Sequence, residues 1–431
     1  MHKFLDKMKK NYLISEKKET NGQIIPWVNG LKGLAILFLL IYHTGMGKGV
    51  HILSRTSDNI WCRLGGHGGK IAIGLFFLIS SFLIYKSLYA YFDKKDYSLR
   101  TALSWIKKKF VRFMPLFYLA IIVCSFWPTY YCWLHNISDS LYQNSNDLRI
   151  SLHHPLDVYM HSGFKNLIIH LLFLHGFFPQ YCADILGVEW YIGVLAIFIC
   201  IAVFIFKYIN SFWKSVLLFG ISVPLCHYIN TYLYTLTPNI WPGVYQHYLD
   251  SFGIIVNFPT LCLGIVLYYT YIFLQQSAIK HKVRLSYVLF FACLLLLLAN
   301  LYVAEVIPLM NTRTVWAMVV SLLIISQMLH TNAVIGHKFL QFLGVYSLPI
   351  YLFHYGFICL YRTSGLIKLH HSVLNWVVEL SIVLIMCVLS SLILVRFIEK
   401  PMIALLLRRS PDTLTETKHQ FTSRRTTRRR W

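Results

Sequence analysis

Charge is scarce in this chain. Of its 431 residues only 13% are charged, whereas soluble domains carry about 25%. Acidic residues are the scarcer sign, 17 Asp and Glu against 40 Lys and Arg. With 57% of residues hydrophobic, that scarcity excludes a soluble core as the bulk of the chain. Metal-ligand spacing is also missing. The 10 cysteines form no CxxC pair. The pairs His153-His154 and His370-His371 fall in expected outer loops with no Cys or carboxylate at ligand spacing, so no metal site is expected. Cys200, Cys262 and Cys387 sit inside apolar blocks, where Cys acts as a small hydrophobe. Cys62, Cys132 and Cys182 would lie outside the membrane, and a disulfide among them stays open. No internal repeat, appended soluble domain or cleavable signal is visible, so the first apolar block is expected to stay as a helix.

What is present comes in blocks of about 20 apolar residues, the length that crosses a ~30 Å hydrocarbon layer. Spans are expected near 31–49, 71–91, 113–132, 188–206, 213–231, 252–274, 284–304, 313–331, 340–361 and 373–397. The fold class is therefore an all-α polytopic membrane bundle of about ten transmembrane helices. The net charge of +23 could suggest nucleic acid, but the basic residues lie in short runs between apolar blocks and in the tails. That is the pattern that orients a membrane protein. Lys3 to Lys18, Lys94 to Arg112, Lys207 and Lys214, Lys280 to Arg284, Lys338 and the C-terminal arginines all share one side if there are ten spans. Both termini are then cytoplasmic. Counting 164–178 as a span would break the pattern, so that segment reads as an external or half-inserted helix. The organisation expected is a cytoplasmic segment 1–26, a transmembrane domain 27–405 and a basic, disordered tail 406–431 that would rest on anionic lipid.

Ionisable groups inside a span are costly and usually face a bundle interior or a wet cavity. Three stand out: His43 in the first span, His354 in the ninth and Glu379 in the tenth. Each lies six or seven residues from the expected outer end of its helix, about 10 Å deep at ~1.5 Å per residue. They could share one polar layer, and a His354–Glu379 pair would be geometrically cheap. Each could instead only bond a neighbouring helix. A second group, Lys32, Lys109 and Arg112, falls at the cytoplasmic boundary. Positive-inside anchoring suffices for Lys107 and Lys108. Lys32, heading an apolar run just after Asn29-Gly30, suits a phosphorylated ligand approaching from the cytoplasm.

These residues form a series that resembles acyltransferase family 3, the membrane O-acyltransferases of bacterial glycans. Asn29-Gly30-Leu31-Lys32 is followed by His43 at the family's spacing. Phe76-Phe77-Leu78-Ile79-Ser80-Ser81-Phe82 matches its second-span motif, and Lys109, Arg112 and Pro115 its Arg-x-x-Arg-x-x-Pro. Trp190-Tyr191-Ile192-Gly193-Val194 matches a Trp-rich motif. Tyr346 to His354 and Glu399-Lys400-Pro401 approximate the last two. Each motif alone is weak; six in order from 29 to 401 are strong together. There are departures. Lys replaces Arg at 32 and 109, keeping charge but losing the bidentate fork. Asn29 stands for an acidic residue, Ser81 for Gly, and Leu195 where many relatives carry Glu.

The resemblance implies transfer of an acyl group, most often acetyl, from acetyl-CoA or another acyl-CoA to a hydroxyl. The acceptor would be a glycan or lipid-linked glycan, such as lipopolysaccharide O-antigen, at the bacterial inner membrane. His43 would be the catalytic base, since histidine titrates in the useful range. Lys32, Lys109 and Arg112 would bind the cofactor phosphates. Ser80, Trp190, Tyr351, His354 and Glu379 would bind substrate or support the site. Lys32 and His43 are eleven residues apart, about 16 Å along a helix, a span comparable to a pantetheine arm. CoA could thus dock inside and meet an outer acceptor at His43; transfer to a cytoplasmic acceptor is the alternative. The aromatic loop 232–251, with Trp241, Tyr245 and His247, suits either sugar stacking or an interfacial belt. The competing class is a transporter or flippase of glycan precursors without chemistry.

Overall fold

The computed structural model describes residues 25–45, 60–131, 133–134, 163–236, 242–303, 310–364 and 373–408. Cys132, His153-His154, Trp241, His370-His371, the first 24 residues and the tail beyond 408 lie outside the described residues, as does the side chain of Cys62. The described secondary structure is helical. In chain order it comprises α1 (Pro26–Gly45), α2 (Ile60–Phe92), α3 (Leu99–Ser125), the short α4 (Phe164–Leu171), α5 (Trp190–Ile205), α6 (Phe212–Leu236) and α7 (Pro242–His247). Then follow α8 (Ile254–Gln276), α9 (Lys282–Val303), α10 (Thr312–Leu329), α11 (Lys338–Val345), α12 (Ser347–Thr363), α13 (Val373–Leu394) and α14 (Lys400–Arg408).

Seven of the described helical stretches are long and apolar enough to cross a membrane, and an eighth if α11 and α12 count as one span bent by 79°. The other two expected segments also form helices. Half of α3 carries the Lys-rich run, and α5 has only 16 residues. Each of the ten expected segments thus coincides with a helix or a bent pair, and seven meet the spanning criterion outright. The eight residues of α4 would extend about 12 Å, far short of a bilayer.

Local sequence sets the helix ends. Pro26 opens α1, where its missing N–H costs nothing. Ser98 and Thr101 form a capping box on α3: Thr101 N–H donates to Ser98 Oγ at 3.2 Å and Ser98 N–H to Thr101 Oγ1 at 2.9 Å. Asn311 caps α10 by accepting the Arg313 N–H at 2.8 Å.

Helix α1 is central, and glycine makes it so. A Cβ on Gly30 would stand 2.0 Å from the Ile335 carbonyl oxygen, and one on Gly33 2.0 Å from that of Leu340. A Cβ on Gly344 would stand 1.8 Å from the Asn29 carbonyl oxygen. The backbones of α1 and α11 therefore touch, which only residues without a side chain allow. The substitution at Ser81 has a matching accommodation. Its hydroxyl donates to the Leu261 carbonyl at 2.6 Å, and the space beside it is left by Gly264. Helices α6, α9 and α13 lie at the periphery. Trp213, Leu295 and Ile393 are among the large apolar side chains they turn outward, as lipid-facing surfaces require.

Candidate active site

His43 lies in the last turn of α1 and opens onto a cavity of about 700 Å³. The walls come from residues 39–43 of α1, the stretch around Gly69 and Ile73 of α2, the last turns of α6, the segment 250–259, the start of α10, and Tyr351 and Tyr355 of α12. Alternate helices contribute opposite ends, so the cavity occupies one end of the bundle.

The Tyr355 hydroxyl lies 2.9 Å from His43 Nδ1, and its ring meets the imidazole edge-on at 4.6 Å. Nε2 makes no hydrogen bond to any described residue. In the tautomer whose Nδ1–H donates to Tyr355, the Nε2 lone pair is available to a ligand in the cavity. His354 stands behind, ring centroids 5.1 Å apart, fully buried, its Nδ1 2.7 Å from the Tyr351 carbonyl oxygen. His354 therefore braces His43 rather than lining the cavity.

Glu379 takes a partner other than the expected His354. Arg362, two turns beyond His354 on α12, donates from Nε to its carboxylate at 2.8 Å. The same guanidinium donates from Nη2 to the Thr44 carbonyl at 3.0 Å. The Thr44 hydroxyl accepts from Trp376 Nε1 at 3.1 Å and donates to the Leu40 carbonyl at 2.7 Å. Helices α12 and α13 thus clamp α1 at the residue after His43.

The remaining residues divide. Tyr351 lines the cavity and donates its hydroxyl proton to the Val188 carbonyl. Ser80 is 2.7 Å from the Tyr191 hydroxyl, a tie between α2 and α5. Trp190 lines the cavity, but its ring is taken by the Arg313 guanidinium at 4.9 Å and by Phe252, stacked at 4.9 Å. Lys32, Lys109 and Arg112 do not line this cavity. Lys32 ends the second turn of α1, and the Lys109 ammonium rests over the Trp105 ring at 5.2 Å. Lys107 is exposed, whereas Lys108, Lys109 and Arg112 are all half-buried, so burial does not by itself separate the expected anchors from the expected phosphate ligands.

A polar knot fixes the loop leading into α5. The Glu189 carboxylate accepts the N–H groups of Ile185 and Leu186 at 2.6 and 2.9 Å and has His170 Nε2 3.4 Å away. His170 and His175 stack at 4.5 Å, and His175 Nε2 is 3.1 Å from the Glu189 carbonyl oxygen. Burial, with His170 alongside, holds the His175 imidazole well below its ordinary range. Gly187 in this loop has φ +74°, and a Cβ there would stand 2.8 Å from the Tyr355 ring. Cys182 is a buried free thiol that bonds the Pro179 carbonyl, so it holds no disulfide. No group of three or more metal-binding side chains occurs among the described residues.

Tyr355, Arg362, Arg313 and Glu189 were not singled out from sequence. Arg362 carried a signal, a charge two turns from His354 near the end of an apolar block. Tyr355 had only its adjacency to His354.

The described residues form a polytopic helical membrane bundle with a histidine at the wall of a cavity. Residues 25–396 match the acyltransferase-domain model of acyltransferase family 3, so the chain belongs to that family and is a multi-pass membrane acyltransferase. No curated protein and no solved structure matches it significantly.

Proposed function

We propose that this chain is an inner-membrane O-acyltransferase that moves an acetyl group from cytoplasmic acetyl-CoA to a hydroxyl of a cell-surface polysaccharide such as lipopolysaccharide O-antigen. The observation that carries the reading is His43: Nδ1 is held by Tyr355, Nε2 has no hydrogen bond to any described residue, and the side chain lines a cavity large enough for a sugar segment. A sugar hydroxyl is a poor nucleophile near neutral pH, so a positioned base contributes about 10²–10⁴-fold. In this mechanism His43 Nε2 takes the hydroxyl proton as the oxygen attacks the thioester carbonyl carbon. The tetrahedral adduct then expels the CoA thiolate by C–S cleavage, and the proton passes from His43 to the sulfur.

Both termini are placed in the cytoplasm, which brings every basic cluster to one side. The cavity then opens at the outer end of the bundle. Lys32, Lys109 and Arg112 would hold the cofactor phosphates at the inner end, and the ~16 Å from Lys32 to His43 along α1 would be covered by the pantetheine arm. Support comes from the spacing of Lys109 and Arg112, three apart on one helix face and ahead of Pro115.

The test is release of CoA from labelled acetyl-CoA by purified protein, with wild type, His43→Ala and Arg112→Ala compared. His43→Ala should insert normally and lose transfer by at least ~10²-fold. Arg112→Ala should bind CoA more weakly. Full transfer by a folded His43→Ala protein would remove the base, and unchanged CoA affinity would remove Arg112. Absence of CoA release with any glycan acceptor would favour a transporter.

A further inference from the structure

Arg313 opens α10 on the cavity wall, and the transfer chemistry leaves it without a task. Its guanidinium carbon stands over the Trp190 ring, 4.9 Å from the centroid. Nη1 donates to the Ser251 carbonyl at 2.5 Å and to Asn257 Oδ1 at 3.2 Å. Asn257 is itself fixed, donating to the Ser251 and Gly253 carbonyls at 2.9 and 2.8 Å. Those two bonds use both hydrogens of Nη1. Nε and Nη2 carry three more N–H groups, which make no hydrogen bond to any described residue. No carboxylate pairs with Arg313 among the described residues. Asp250 lines the same cavity, but its carboxylate accepts from the Tyr234 hydroxyl.

A guanidinium stacked on an indole keeps its in-plane N–H edge exposed. That edge, with two nitrogens side by side, matches the two oxygens of a carboxylate or phosphate. Asp250 on the same wall acts on Arg313 electrostatically, but with Lys70 and Arg313 against Asp250 the lining of this cavity of about 700 Å³ carries a net positive charge, which favours an anionic occupant.

We infer that Arg313 is an anion subsite for the acceptor: the cavity takes an acidic glycan whose carboxylate or phosphate pairs with Arg313 while a hydroxyl is presented to His43. The inference rests on the acyltransferase reading above and names the acceptor class. Asn230, Thr231 and His227 of α6 supply hydrogen-bonding groups on the same wall for sugar hydroxyls. Asp250 accepts hydroxyls and repels a misplaced acid, so acid and base together set the sugar's register.

The experiment is saturation-transfer NMR on full-length protein in lipid nanodiscs. The probes are methyl glucuronide, glucose 6-phosphate, methyl glucoside and inorganic phosphate, against wild type, Arg313→Gln and Arg313→Lys. In wild type at least one anionic sugar should bind about tenfold or more tightly than methyl glucoside. Which of the two binds more tightly identifies the anion. Arg313→Gln should erase the preference and Arg313→Lys should keep part of it, with acetyl-CoA affinity unchanged in both. Wild type alone tests the preference if Arg313→Gln fails to fold. His43→Ala should retain the preference, so this inference survives loss of the base assignment. Equal binding of acidic and neutral sugars, or a preference that persists in Arg313→Gln, overturns it. So does inorganic phosphate binding as tightly as the sugar phosphate, or a loss of acetyl-CoA affinity with Arg313→Gln, which would make Arg313 part of the donor site.

Discussion

Replacing Gly344 with Ala should disable the enzyme without touching any group that does chemistry. The added Cβ would stand 1.8 Å from the Asn29 carbonyl oxygen and 2.6 Å from its carbonyl carbon. Side-chain carbons essentially never approach within 3.0 Å, so α1 and α11 must part by about 1.2 Å. Both obstacles are backbone, and no rotamer change relieves them. Overpacking of this kind costs about 1–3 kcal/mol, and a backbone clash belongs at the top of that range. A loss of about 5 °C in Tm follows. The functional cost is larger. Helix α1 carries both Lys32 and His43, while α11 leads through the 79° bend into α12, which carries Tyr355. A ~1 Å displacement between reacting groups costs up to about 10²-fold in rate. Thermal unfolding in detergent and CoA release from labelled acetyl-CoA measure the two effects. Wild-type Tm and activity in Gly344→Ala would refute the packing argument. Normal Tm with low activity would show that the helices part at little cost but the site depends on their spacing.

Three more outcomes are expected. Tyr355→Phe removes the group at His43 Nδ1 and should lower kcat about tenfold or more with KM unchanged; a rise in KM alone would make Tyr355 a substrate contact. Glu379→Gln leaves Arg362 half-buried without its anion, so it should destabilise more than the double variant Glu379→Gln/Arg362→Met, and a double-mutant cycle with no coupling would remove the clamp on α1. The depressed His175 imidazole is neutral in the folded protein, so its share of stability is present above the unfolded value of ~6.5 and is lost as pH falls below it. Tm should therefore fall more steeply from pH 7.5 to 5.5 in wild type than in His175→Gln, and parallel curves would contradict this.

The helix segments were legible because apolar length and charge placement are local properties. Even the odd segment 164–178 could be set apart, since eight helical residues and a following Pro179 leave a local trace. His43 stood out for the same reason, as a costly group within an apolar run. What could not be read was pairing. Glu379 chose Arg362 over His354, and that choice depends on helix rotation and on the bend between α11 and α12. Nor did the motif show what Gly30 is for; the reason is the Ile335 carbonyl, some three hundred residues away in sequence. Arg313 escaped notice because a basic residue beginning an apolar block looks like a boundary anchor. Only the fold sets it over Trp190 and at the wall of the cavity.

In the proposed mechanism, the placement of these groups would let one helix serve two substrates. A donor and an acceptor arriving from opposite sides need a base that both can reach, and a path between that does not leak. The N-terminal half of α1 meets the backbone of α11 and of the segment before it through Gly30, Gly33 and Gly344. Its last turn is clamped at Thr44 by Arg362 and Trp376. His43, the residue before Thr44, packs against His354 and lines the cavity. If His43 is the base, a rigid α1 would keep it fixed relative to both Lys32 and Arg313, so that the distance between a donor's phosphates and an acceptor's anion would be set by the protein. Changes that loosen α1 should then lower transfer while leaving binding of each substrate alone nearly intact, because neither substrate by itself measures that distance.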